Sequence, residues 1–231
     1  MRRARPSAAA VAAAPRDWRS DLLVAIVFAS VVFNFALCFV NTNLFKTSAA
    51  LVIAAELVLI ATTLLLMVGR GYDLFVILGA YVAYSIFLGA VQGSFDPKPA
   101  RDLMIPVVFY FAARELGSRE QGDRLVWFCV WTVLAIGLYE YFFLKQFVKL
   151  FDILGYYVSR GSVQAASAEL SQDRLFASGM RYEGRTLLPF LGEHRVSSVF
   201  LEPVSVGNFG AICFAWIALR NWGKPLRMLA H

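Results

Sequence analysis

The chain has 231 residues, of which 59% are hydrophobic and only 16% are charged, and its formal net charge is +6. Soluble domains carry roughly 25% charged residues, so this composition excludes an ordinary soluble fold and predicts an all-α, polytopic membrane bundle. The basic residues lie between apolar runs rather than in one patch. They therefore argue against a nucleic-acid partner and are expected to set the membrane topology.

Five membrane spans are predicted within residues 21–144, after a basic, alanine-rich tail at residues 1–20 that is expected to be cytoplasmic. A spanning helix needs about 20 mainly apolar residues. The predicted spans are Leu22–Val40, Ala49–Val68, Leu74–Val91, Leu103–Ala113 and Leu125–Leu144. The fourth is short and contains Pro106, so it spans only if its flanks contribute, and a re-entrant segment is the alternative.

Two polar residues interrupt the first two spans. Asn34 is expected to hydrogen-bond to another helix, as polar side chains in membrane bundles do. Glu56 is either a packing residue between helices or part of a proton path. The sequence leaves both readings of Glu56 open.

The loops predict the orientation of the bundle, because Lys and Arg concentrate in short cytoplasmic loops. With the N-terminus inside, the inner loops and residues 220–231 are rich in basic residues, whereas the short outer loops hold only Lys46, Lys98 and Arg101. A sixth span at residues 199–219 then returns the chain to the cytoplasm. Six spans with both termini cytoplasmic are therefore predicted.

The outer loop at residues 145–198 is long and basic, and long ordered loops tend to be functional. Its first part, FDILGYYVSRG, is aromatic and is expected at the membrane interface. Its middle predicts a short amphipathic helix, with Val163, Leu170, Leu175 and Phe176 on its apolar face.

Basic side chains gather in the last part of this loop. Arg181, Arg185 and Arg195 lie close in sequence to one another, and His194 precedes Arg195. Guanidinium groups bind phosphate and diphosphate in a bidentate manner. The set is therefore a candidate site for a lipid-linked diphosphate, and the alternative is a solvated loop that contacts anionic headgroups.

Two carboxylates are predicted near the same membrane face. Glu202 precedes Pro203 at the start of the sixth span, and Glu140 lies in YEYFF near the outer end of the fifth. Either could orient or deprotonate a hydroxyl group. The alternatives are an ion pair with a loop arginine and, for Glu202, a place in the headgroup region where Pro203 opens a helix.

No cofactor or metal is expected. The sequence holds no P-loop, Gly-x-Gly-x-x-Gly, His-Glu-x-x-His or Cys-x-x-Cys motif. His194 and His231 are the only histidines, and the three cysteines lie singly inside apolar runs.

The stretch HRVSSVFLEPVSVGNFG resembles the bacterial O-antigen polymerase and ligase superfamily, and most closely its exopolysaccharide polymerase branch. The matching positions are Arg195, Ser198, Phe200, Pro203 and Gly207, behind a large outer loop. Members of that superfamily have about twice as many spans. The resemblance therefore implies the N-terminal part of a longer or split enzyme.

The resemblance implies a glycosyltransferase of polysaccharide biosynthesis in the inner membrane, without metal or cofactor. It would transfer a lipid-diphosphate-linked glycan to another lipid-linked repeat unit at the periplasmic face. Glu202 and Arg195 are the implied catalytic residues, and the implied substrate-binding residues are Arg181, Arg185, His194 and Glu140. The implied partners are lipid-diphosphate-linked oligosaccharides, membrane lipids and polysaccharide export or assembly proteins.

Two other functions fit the residues. A transporter or flippase of lipid-linked oligosaccharides would place polar groups such as Asn34 and Glu56 inside the bundle. A non-catalytic, truncated membrane protein would tolerate the loss of the loop charges.

Overall fold

The computed structural model describes residues 18–93, 97–116, 118–163 and 194–221. These residues form eight α-helices and one 3-10 turn, Ser198–Phe200. The helices are α1 (Trp18–Asn43), α2 (Ala49–Met67), α3 (Tyr72–Gln92), α4 (Pro97–Arg114), α5 (Arg119–Phe142), α6 (Leu144–Leu150), α7 (Ile153–Ser159) and α8 (Pro203–Arg220).

Among the described residues, five helices are long and apolar enough to cross a membrane: α1, α2, α3, α5 and α8. The chain is therefore a multi-pass membrane protein. The predicted fourth span, Leu103–Ala113, lies within α4, a continuous 18-residue helix with Pro106 in its interior. α4 is not among the five, because its first turns are polar in sequence. Six spans and cytoplasmic termini stay predictions.

Local signals explain several helix boundaries. The Ser48 side chain accepts a hydrogen bond from Leu51 N at the start of α2, and Ser118 does the same for Gln121 N at the start of α5. α3 ends at Gly93, whose φ of 68° is the left-handed conformation that closes many helices. Pro203 opens α8, where its missing N–H costs nothing.

The helices alternate between two ends of the bundle. At one end, the Ser20 hydroxyl donates to Gln121 Oε1 over 2.7 Å, and Arg220 pairs with Asp123. The start of α1, the start of α5 and the end of α8 therefore lie together, at what we call the Ser20 end. The opposite end, where α5 finishes and α8 begins, holds α6 and α7 and is called the elbow end.

The elbow formed by α6 and α7 is buried inside the bundle. Phe147, Ile153 and Tyr156 are almost completely enclosed, and they pack with Cys38 of α1 and Val52 of α2. The aromatic sequence FDILGYYVSRG is predicted to lie at the membrane interface. Its large apolar and aromatic side chains, such as Phe151, Ile153 and Tyr156, are buried inside the bundle at the elbow end, and their depth in the membrane stays a prediction.

Hydrogen bonds from α1 hold the elbow in place. Asp152 N donates to Thr42 Oγ1 over 3.0 Å, and the Ser159 hydroxyl donates to Asn41 Oδ1 over 2.9 Å. The predicted interhelical role of Asn34 is confirmed, because its Oδ1 accepts a 2.9 Å hydrogen bond from the Tyr156 hydroxyl.

Several predicted segments lie outside the described residues. They are the tail up to residue 17, the loop between residues 164 and 193, and residues 222–231. The proposed amphipathic helix of the outer loop therefore falls outside this description, except for Val163.

Candidate functional site at the start of α8

The candidate site is built by residues 194–202, which we call the approach segment, and by the ends of α5 and α7. The segment packs against α5 and α1 before it enters α8. It contains five of the residues that carry the family resemblance or its implied chemistry: His194, Arg195, Ser198, Phe200 and Glu202.

Glu140 near the end of α5 holds the approach segment in place through hydrogen bonds. Its side chain is completely buried. Its carboxylate accepts hydrogen bonds from Ser197 N at 3.0 Å, Ser198 N at 2.6 Å and the Ser197 hydroxyl at 2.9 Å. These donors satisfy a charge that would otherwise be costly to bury. In this conformation any effect of Glu140 on substrate is therefore indirect.

His194 completes this cluster. Its Nε2 lies 2.9 Å from Glu140 Oε1. Because a carboxylate oxygen accepts, Nε2 carries the proton of this hydrogen bond. The Nδ1 atom is buried and has no hydrogen-bond partner among the described residues. His194 thus ties the first residue of the approach segment to α5.

One face of α5 is shaped to receive the segment. Val133, Gly137 and Glu140 are buried and lie at helical spacing. The Ser198 hydroxyl donates to Val133 O over 2.7 Å. A β-carbon on Gly137 would lie 3.1 Å from Val196 Cγ1, so the absence of a side chain lets the segment approach the helix closely.

The backbone of the approach segment is strained. Ser198 and Leu201 have φ angles of 49° and 60°, in the left-handed region that non-glycine residues rarely occupy. Each such residue costs about 1–3 kcal/mol and persists only where the surroundings enforce it. The strained turn displaces the start of the last helix from the predicted residue 199 to Pro203.

Glu202 stands directly after this turn and is oriented by α7. The Tyr157 hydroxyl donates to Glu202 Oε1 over 3.0 Å. Burial, and then the negative charge of Glu202, raise the pKa of Tyr157 above its ordinary value, so the phenol remains a donor. Glu202 is only partly buried, and among the described residues the hydrogen bond from Tyr157 reaches its Oε1 and not its Oε2. One carboxylate oxygen is therefore held, and the other has no hydrogen-bond partner within the described part of the chain.

A second charged pair lies beside this carboxylate. Arg160 Nη2 is 4.0 Å from Glu56 Oε1, which belongs to the spanning helix α2. The positive charge of Arg160 also acts on Tyr156 and Tyr157. The packing role predicted for Glu56 thus has a specific partner, Arg160, which directly follows the helix that orients Glu202.

Of the three arginines predicted to bind diphosphate, the structure describes Arg195. Arg195 is partly buried, and within the described part of the chain it has no ion-pair partner. A guanidinium in that position is suited to an anionic ligand. Arg181 and Arg185 lie outside the described residues, so the structure does not bring them to the site.

Tyr157, Arg160 and Ser197 were not identified from the sequence as site residues. Arg160 counted only as one loop cation, and the tyrosines only as interface aromatics. Their partners are distant in sequence: Glu202 is 45 residues from Tyr157, and Glu140 is 57 residues from Ser197. No local pattern signals such pairs.

Chemically, the site offers a partly exposed carboxylate, a guanidinium without an ion-pair partner in the described part of the chain, and a strained backbone turn between them. Among the described residues, no group of three or more His, Cys, Asp or Glu side chains is placed to hold a metal ion. No protein-family model, curated protein or solved structure matches this chain.

Proposed function

We propose that the chain is the N-terminal part of an inner-membrane polysaccharide polymerase, which transfers a lipid-diphosphate-linked glycan to another lipid-linked repeat unit at the periplasmic face. The elbow end of the bundle would face the periplasm. The observation that carries the proposal is the state of Glu202 at the start of a membrane helix: Tyr157 holds one carboxylate oxygen, while the other has no hydrogen-bond partner among the described residues.

In this function Glu202 orients or deprotonates the acceptor hydroxyl group. A general base must lie within hydrogen-bond reach of the proton that it removes. The hydrogen bond from Tyr157 limits the rotation of the carboxylate, which favours a defined acceptor position. Arg195 would bind the donor diphosphate, with Arg181 and Arg185 as further ligands.

The position of the site at a membrane boundary supports a substrate with a lipid tail. The approach segment ends where the spanning helix α8 begins. A diphosphate bound there can stay in the polar region while its lipid tail remains in the bilayer. Arg195 is the described cation that best fits this geometry, because no carboxylate among the described residues neutralises it.

The test uses the complete protein in its native membrane. We expect Arg195→Ala and Glu202→Gln to abolish polymer while single lipid-linked repeats accumulate on the outer leaflet. Arg195→Lys would keep the charge but lose bidentate binding, so it should retain only part of the activity. Arg114→Ala and Glu120→Gln are matched controls at the other end of the bundle.

Unchanged polymer in Arg195→Ala or Glu202→Gln, at normal protein levels in the membrane, would rule out the corresponding assignment. Normal polymer in both variants would remove the basis of the polymerase proposal.

The Glu56–Arg160 pair favours transport of lipid-linked oligosaccharides as a second candidate. Ionisable groups within spans mark substrate or ion pathways in many transporters. A deletion strain separates the two functions, because loss of a transporter would leave lipid-linked repeats on the inner leaflet, whereas loss of a polymerase would leave them on the outer leaflet.

A further inference from the structure

A cleft of about 230 Å³ lies between α5 and α8 at the Ser20 end, remote from the approach segment. One part of its lining is apolar and includes Trp127, Val130 and Trp216. The other part, closer to the Ser20 end, holds Asp123 near the first turns of α5 and Arg220 at the last residue of α8. The cleft is therefore amphipathic along the helix axes.

The two helices that form the cleft are membrane spans, and α8 is the least buried of the five. The cleft is large enough to hold several waters. Water would find few polar partners beside the tryptophans. A segment of one acyl chain fits both the volume of the cleft and the chemistry of its apolar part.

The polar part of the cleft offers both an acidic hydrogen-bond acceptor, Asp123, and basic hydrogen-bond donors, those of Arg220. Asp123 pairs with Arg220 through Oδ2, while its Oδ1 is buried and has no hydrogen-bond partner among the described residues. A buried acceptor without a donor is costly. The Arg220 side chain is about half exposed, and a guanidinium has five N–H donors, so some remain for an anion.

The complementary ligand has an N–H cation, an adjacent anion and an apolar chain. We propose that the α5–α8 cleft binds one phospholipid with a primary-amine headgroup. Its ammonium donates to the Asp123 carboxylate, its phosphate accepts from Arg220, and one acyl chain lies against Trp127 and Trp216. This site is independent of the proposed polymerase activity.

A comparison of choline and ethanolamine lipids tests whether binding requires an N–H group in the headgroup. Both are zwitterionic, but the choline nitrogen carries three methyl groups and has no N–H to donate to Asp123. The probes are phosphatidylethanolamine and phosphatidylcholine with identical chains, offered in equal amounts to the purified full-length protein in mixed micelles. Native mass spectrometry counts the bound lipids.

We expect the protein to retain about tenfold more phosphatidylethanolamine than phosphatidylcholine, the effect of one charge-assisted hydrogen bond. Asp123→Asn should bring the two lipids within about twofold of each other. Equal retention by the unaltered protein, or an unchanged ratio in Asp123→Asn, would overturn the proposal.

A second pair of variants keeps the test decisive if Asp123→Asn does not fold. Trp216→Ala enlarges the apolar part and leaves the polar pair intact, so total lipid retention should fall while the ratio stays. Trp131→Ala is the matched control, because Trp131 is an exposed tryptophan on α5 outside the cleft. An equal loss in both variants would contradict a specific chain site.

Discussion

The Tyr157 hydroxyl donates a 3.0 Å hydrogen bond to the Glu202 carboxylate and so joins α7 to the start of α8. The tyrosine is buried, whereas the glutamate is only partly buried. The elbow of the outer loop therefore determines the direction in which this carboxylate points. The first two predictions concern this contact.

Tyr157→Phe removes only the donor of this bond. We expect the free energy of unfolding in detergent to fall by about 1.5–3 kcal/mol, the range for hydrogen bonds to charged groups. Tyr72→Phe is the control, because Tyr72 is 81% exposed. Equal thermal midpoints for both variants would show that the bond does not contribute to stability.

The same contact predicts a pH dependence at alkaline pH. The pKa of Tyr157 is raised in the folded chain, so above about pH 10 the unfolded chain loses this proton before the folded chain does. The contribution is complete below the ordinary tyrosine pKa and is lost as pH rises toward the folded value. Stability should therefore fall more steeply with alkaline pH in the unaltered protein than in Tyr157→Phe. Parallel stability curves from about pH 9 upward would contradict this assignment.

Glu140→Gln should be strongly destabilising. The glutamine amide group would place N–H donors opposite the backbone N–H groups of Ser197 and Ser198, so donors would face donors. We expect a loss of about 3 kcal/mol, as for removal of one partner from a buried charged network. Glu120→Gln, on an exposed position of the same helix, should change the free energy of unfolding by less than about 0.5 kcal/mol.

Gly137→Ala tests the close approach of the segment to α5. The new β-carbon would lie 3.1 Å from Val196 Cγ1, so we expect a loss of about 1–3 kcal/mol from overpacking. Gly122→Ala is the control on the same helix, because nothing lies within 4 Å of its added β-carbon. Combining Gly137→Ala with Val196→Ala should restore part of the stability, and a double variant no better than the single one would contradict the contact.

Leu201→Ile tests the strained backbone rather than the packing. Both residues have the same volume, but a β-branched side chain is poorly tolerated at the φ of 60° found here. We expect a cost of about 2 kcal/mol, above the usual limit of about 1.5 kcal/mol for volume-conserving exchanges. Leu23→Ile is an equally buried control within a regular helix. Similar costs for the two would indicate an unstrained turn.

The sequence was informative where the physical cause is local. The length of the apolar runs identified all five candidate spans. The last of them was predicted from residue 199, and the corresponding helix α8 begins at Pro203. Asn34 was correctly expected to bond across helices, because a polar side chain inside a span needs a partner.

The remaining features depend on contacts that no local pattern carries. The aromatic run around Tyr156 has the composition of an interface belt, yet the polar end of α1 draws it into the core. The polar, proline-containing α4 has the length of a span without the composition of one. The partners of Glu140 come from the far side of the 145–198 loop, and the partner of Glu56 comes from the end of the elbow. The sequence therefore could not show that the approach segment encloses Glu140, and it left the role of Glu56 open.

The hydrogen bonds between α1 and the elbow have a consequence for biogenesis. Asn34 and Tyr156 are 122 residues apart, and Asn41 and Ser159 are 118 residues apart. α1 is therefore synthesised well before its partners in the elbow. Asn41 Oδ1 also accepts from Thr47, directly after α1, whereas Asn34 Oδ1 accepts from Tyr156 of the elbow. Closure of the elbow is thus a late, long-range step of assembly, and until then the Asn34 amide depends on the translocation machinery or on neighbouring early helices for shielding from hydrocarbon.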